Sequence, residues 1–197
     1  AAPPARVAGN TVALHGLKPA FFNNAVAALR LSSLPTLVWW RGGRPDTLDG
    51  LAELAERIVL DDDAPEPIWS RAAGLFEECA FSDLRWARLT QWRALMAHFF
   101  DIPEVLAATA DFSRLTISAS DRVSARLFAA WLVSSIELQD GFTVELTDGS
   151  ADAPIEEIRL GDHQQELVVR LAGHRTCLET EVSVKGHRSA SRLVSLE

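Results

Sequence analysis

His174 and Cys177 stand at an HxxC spacing, with His187 further on, and this is the arrangement in the chain closest to a zinc site. A structural zinc needs four well-spaced ligands, and no second close pair of ligands accompanies these three, so the spacing argues against a metal. Asp61-Asp62-Asp63 could face a hard cation, but no glycine-bearing calcium loop follows, and the run reads as a solvated turn after a strand. His98 sits beside Phe99 in a helical pattern and reads as a boundary residue, not a base. The chain has no nucleophile elbow, no phosphate-binding Walker loop, no dinucleotide glycine fingerprint and no HExxH pair. These absences point away from an enzyme and imply neither a metal nor a cofactor.

Two kinds of binding chemistry remain. Arg41-Gly42-Gly43-Arg44 follows a predicted strand, where open α/β sheets place ligands, and Arg41 with Arg44 could hold a sugar phosphate or a similar metabolite. Against this, Pro45 removes a backbone donor and Asp46 sets a negative charge where the anion would sit. The second chemistry is aromatic and cationic. Trp39 and Trp40 precede Arg41, and Trp86, Arg88 and Arg93 lie in a helical run that also holds Trp92. Tryptophan and arginine dominate binding hot spots because each joins a large contact area to a polar handle. Trp92 falls on the apolar stripe Leu89, Trp92, Met96, Phe99 and belongs to the core. Trp86 and Arg93 share another face. They are either a rigid contact surface or a cover for the core edge with its arginines paired to carboxylates such as Asp83.

Strands and helices must position these residues. Thr11–His15 reads as a strand and Pro19–Leu31 as a helix. The run Thr36–Trp40 is continuously apolar, as in a strand buried on both faces of a parallel sheet. A helix over Leu48–Arg57, capped by Asp46 or Thr47, and a strand at Ile58–Leu60 complete a βαβ unit. Helices follow at Pro67–Cys79 and Asp83–Phe100, the second capped by Ser82 and stopped at Asp101-Ile102-Pro103. A strand at Leu115–Ser118 and a helix over Asp121–Glu137 come next. From Gly141 the hydrophobic period becomes two, and Gly-Asp and Gly-His pairs mark turns, which predicts an antiparallel meander with one wet face. The predicted fold class is α/β: a mostly parallel sheet with flanking helices over 1–138, and an antiparallel β extension over 139–197 packed on it.

At 197 residues, with 48% hydrophobic and 23% charged residues, the chain has the composition of a globular protein. Its net charge of −8 argues against nucleic acid as the main partner. Cys79 and Cys177 are far apart and read as free thiols. The apolar run Leu127–Val133 is too short to span a bilayer, so no membrane association and a cytoplasmic location are expected.

Three blocks, in order, carry a resemblance: Leu34-Pro35-Thr36-Leu37-Val38-Trp39-Trp40-Arg41-Gly42, Leu54–Asp61, and Asp83-Leu84-Arg85-Trp86-Ala87-Arg88-Leu89-Thr90-Gln91-Trp92-Arg93 running on to Pro103. With Ala130-Trp131-Leu132, they are similar to the signature blocks of OpcA-type glucose-6-phosphate dehydrogenase assembly proteins. The similarity runs from about Leu31 to Val133. The resemblance implies a non-catalytic bacterial protein that binds glucose-6-phosphate dehydrogenase as assembly factor or allosteric activator, supporting the oxidative pentose phosphate pathway. Members of the family usually carry another αβ segment before the first strand seen here. The cysteines form no evident thioredoxin-responsive pair, and the region after Gly141 fits the family loosely.

Overall fold

The computed structural model describes residues 34–173, 177–184 and 187–195, together with Phe21 and Asn24. The strand expected at Thr11–His15 and the zinc candidate His174 lie outside these residues. So does the helix expected over Pro19–Leu31, apart from Phe21 and Asn24. Contacts group the chain into two units, Ala1–Ser82 and Asp83–Glu197.

The first unit holds a sheet of order β1 (Leu37–Trp40), β2 (Arg57–Leu60), β3 (Ala80–Asp83), with β1 and β2 parallel and Trp39 beside Val59. Helix α1 (Thr47–Ala52) makes the crossover, and α2 (Glu66–Ala73) follows β2. The core gathers Trp40, Leu48, Ile58, Leu60, Ile68 and Leu75. β1 is not buried on both faces as its apolar run suggested. Val38 and Trp40 turn inward, whereas Leu37 and Trp39 are 61% and 57% exposed. The pleat sends alternate side chains to opposite faces, and only one face here meets the core.

α1 starts at Thr47 and stops at Ala52, short of the expected Arg57. Asp46 gives its carboxylate to Arg44 and makes no cap bond, while Thr47 Oγ1 donates to the Arg44 carbonyl. β3 was not anticipated, because its residues are neither strongly apolar nor clearly alternating. Ser82, expected as a helix cap, lies in this strand and accepts a 2.6 Å hydrogen bond from Arg57.

In the second unit, the long helix expected over Asp83–Phe100 is two helices, α3 (Leu84–Arg88) and α4 (Thr90–Phe99). Pro103 does not merely stop them. It sits in the first turn of α5 (Pro103–Ala108), where a missing N–H is harmless. A 3-10 turn (Thr109–Asp111), β4 (Arg114–Ala119) and α6 (Arg122–Ser135) follow. Five more strands follow among the described residues: β5 (Thr143–Asp148), β6 (Glu157–Gly161), β7 (Glu166–Leu171), β8 (Cys177–Val184) and β9 (His187–Ser195).

The six strands form one sheet of order β5-β4-β6-β7-β8-β9. β6 to β9 are the expected antiparallel meander. β5 is not part of it: it lies parallel to β4 on the far side from β6. Parallel neighbours need a long crossover, which α6 supplies. The expected division at 138/139 therefore falls inside a single sheet, since β4 and α6 belong with the strands that follow.

One face of this sheet is covered by helices and the other is polar. Leu115, Ile117, Ile158, Leu160, Leu167, Val169, Leu178 and Val182 face Met96, Phe99, Phe112 and Phe128. On the wet face Arg159 bridges Glu157 and Glu166, at 2.6 Å and 2.9 Å, and Arg170 reaches Glu179 and Glu181. Val168, opposite Arg159 and Glu181, is only 3% exposed beneath these long side chains. The β6–β7 turn requires glycine: a Cβ at Gly161 would lie 2.0 Å from the Gln165 carbonyl oxygen. Asp162 shapes the same turn by accepting from the Gln164 and Gln165 amides, and those bonds hold its carboxyl below the usual carboxylate range.

Candidate partner-binding surface

The block from Asp83 to Arg93 folds by short-range hydrogen bonding. Asp83 Oδ1 accepts from the amides of Arg85, at 2.6 Å, and Trp86, at 3.3 Å, which starts α3. Thr90 Oγ1 donates to the Ala87 carbonyl and closes the last turn of α3. Leu89 is the joint between the helices and is 3% exposed. Its backbone stays in the helical region, at φ −81° and ψ −3°, so α3 and α4 stay nearly in step.

That continuity brings Trp86 and Arg93 together. The Arg93 guanidinium lies 3.5 Å from the Trp86 ring centre and 6.0 Å from that of Trp131 on α6. It also donates to the Trp86 carbonyl and to Thr90 Oγ1. Trp131 meets Trp86 and Phe128 edge-on, with centroids 6.5 Å and 5.3 Å apart. Burial pushes the Arg93 guanidinium below its ordinary value, and its Nε has no partner among the described residues. The arginine therefore serves as a clamp on Trp86, consistent with a cation held against indole faces.

Arg85 and Arg88 line a cleft of about 390 Å³ with Asp121, Ser124 and Asp152 on its walls and Leu89, Trp92 and Ile155 beneath. Arg85 pairs with the Asp121 carboxylate, at 3.0 Å, while Asp83 caps α3. Asp121 also caps α6 through the Val123 and Ser124 amides and accepts from the Ser124 hydroxyl. Burial alone would raise its carboxyl, but hydrogen bonds from Ser124 and Arg85 outweigh that and hold it below the usual range. Arg88 stands exposed at the rim. Trp92 is core at 6% exposure, and His98 is a surface residue paired with Asp101.

In the first unit, Arg41 lies over the exposed Trp39 ring at 5.0 Å and 3.8 Å from Asp61, to which Trp39 Nε1 also donates. Trp40 is buried, its Nε1 bonded to Thr47 and its ring under Gly43, whose φ is +145°. Arg44 forms a forked pair with Asp46. Both arginines of the candidate phosphate loop thus face carboxylates. Among the described residues no group of three His, Cys, Asp or Glu could hold a metal ion. Neither Cys79 nor Cys177 is in a disulfide, and burial pushes the Cys79 thiol up. No helix of the described residues is long and apolar enough to cross a membrane.

Sequence reasoning found Trp86 and Arg93 but not their partners. Trp131 stood in the most apolar run of the chain, and Asp121 only at the start of a predicted helix. Only the tertiary fold shows that both meet the Asp83–Arg93 block.

A family model for the C-terminal domain of the glucose-6-phosphate dehydrogenase subunit matches residues 79–197. A putative OxPP cycle protein OpcA from Nostoc punctiforme is 31% identical over 159 residues, covering 75% of this chain. The chain spans about a third of that relative's length, 33%.

Proposed function

We propose, from the premise that this chain belongs to the OpcA-type family of glucose-6-phosphate dehydrogenase subunits, that it is a non-catalytic partner of that dehydrogenase which favours its active assembly. The observation that carries this reading is the extent of the family match. It takes in the whole second unit, including the Trp86–Arg93 clamp and the arginine-rimmed cleft. A partner that binds one oligomeric arrangement more tightly than another shifts the enzyme by that difference in affinity, without touching substrate. In this reading Arg88 and the half-buried edge of Trp86 make contact in the second unit, and Trp39 with Arg41 in the first. Arg93 and Trp40 support them from behind. The pairing of Arg41 and Arg44 with carboxylates weighs against the sugar-phosphate alternative.

The test is co-elution of this chain with the dehydrogenase, followed by dehydrogenase activity with and without it. Complex formation and a change in activity are expected. Arg88→Glu, at an exposed position, should weaken the complex by about tenfold or more while leaving the fold intact. No complex at micromolar concentration and no kinetic change would refute the proposal.

A further inference from the structure

β5 ends the six-stranded sheet, and no strand among the described residues pairs with its outer side. Its ladder with β4 shows which backbone groups remain. The Thr143 amide donates to the Ser113 carbonyl at 2.9 Å and the Gly149 amide to the Ala119 carbonyl at 3.1 Å. Because the strand period is two, the amides of Glu145 and Thr147 face β4 as well. The N–H and C=O groups of Val144, Leu146 and Asp148 therefore point out of the sheet.

Such an edge is a template for another strand unless it is blunted by proline, lysine, a bulge or a covering element. Thr143–Asp148 contains no proline or lysine, its register with β4 is unbroken, and of its two charged residues, Glu145 and Asp148, the second is paired with Arg122. Val144 is 45% exposed on the face it shares with Leu146.

We propose that β5 pairs antiparallel with β5 of a second copy, joining the two sheets about a twofold axis. The number of hydrogen bonds chooses the register, and charge disfavours one of its neighbours. With Leu146 opposite Leu146, Val144 faces Asp148 and Glu145 faces Thr147. All three outward residues of each strand are then engaged, in about six hydrogen bonds. Sliding two residues either way leaves one outward residue of each strand unpaired. One of those slides also sets Glu145 directly against Glu145, which like-charge repulsion disfavours. The strand is thus self-complementary in its best-bonded register, as a closed isologous contact requires.

The experiment is sedimentation of the full chain from micromolar to millimolar concentration, with amide exchange read residue by residue. The expected result is a dimer whose Leu146 and Asp148 amides exchange slowly when concentrated and quickly on dilution. The Glu145 and Thr147 amides, bonded to β4, stay slow throughout. Val144→Pro removes an outward N–H without touching the β4 ladder and should abolish the dimer with circular dichroism unchanged. If that variant fails to fold, Val144→Lys decides instead. A chain monomeric at all concentrations, or a dimer that persists in the folded variant, overturns the proposal. So does protection of the outward amides only when the dehydrogenase is added.

Discussion

Replacing Asp121 tests how the Asp83–Arg93 block is held to the rest of its unit. In Asp121→Ala two losses combine. The α6 cap, through the Val123 and Ser124 amides, contributes about 1 kcal/mol. Arg85, whose side chain is only 12% exposed, also loses the carboxylate 3.0 Å from its Nε. Breaking a fully buried pair costs several kcal/mol, but Asp121 keeps 28% of its exposure, so about 2 kcal/mol is a fair discount. The total is about 3 kcal/mol. Asp121→Asn keeps an oxygen that can cap the helix and loses only the charge, so it should cost roughly half as much.

Urea unfolding of wild type and both variants gives these differences directly. The pH dependence gives a second reading. The folded carboxyl is held below its ordinary range, so the stability it contributes is present above that range and is lost as pH falls through the depressed folded value. Both variants should lack that part of the acid-side loss. A cost for Asp121→Ala below about 1 kcal/mol would refute the pairing argument, and an asparagine variant as unstable as the alanine one would refute the cap.

Two other outcomes follow from packing. Arg93→Ala should release Trp86 from its clamp, at a cost of about 1–2 kcal/mol, with a change in tryptophan fluorescence or near-UV circular dichroism to report it. An unchanged aromatic signal would show that the guanidinium does not fix the indole. Gly161→Ala places a methyl group 2.0 Å from the Gln165 oxygen, and thermal unfolding should reveal a loss on the order of 3 kcal/mol. A loss below about 1 kcal/mol would mean that the β6–β7 turn yields easily.

How far the sequence could be read depended on how local the determining physics was. The apolar stripe Leu89, Trp92, Met96, Phe99 is a periodic signal, and all four residues are buried. The alternation in β7 and β8 likewise identifies the wet face of the meander. The misreadings share a different cause. The α3–α4 break at Leu89 leaves the hydrophobic period almost intact, so periodicity alone cannot show it. β3 is recognisable only from its neighbour β2, and β5 has the pattern of a meander strand although α6 carries it to the opposite side of β4. At the candidate surface, residue types singled out Trp86 and Arg93, but the opposing Trp131 and Asp121 come from distant sequence. Trp39 and Trp40 look alike in sequence. The pleat makes one exposed and the other core.

The place of β4 in the sheet also bears on how the second unit is built in time. The β7–β8 and β8–β9 pairings close short loops and can form early at little entropic cost. β4 has no such neighbour: one partner lies beyond α6, and the other arrives only after β5 has been passed. Capturing β4 is therefore the step that must close the longest loops, and contact-order reasoning makes it the slow one. Conservative truncation at Val182, in pairings already formed when β4 docks, should then take most of its cost from the folding rate, whereas truncation at Ile117 should divide its cost between slower folding and faster unfolding. Equal effects on the folding rate would contradict this order of assembly.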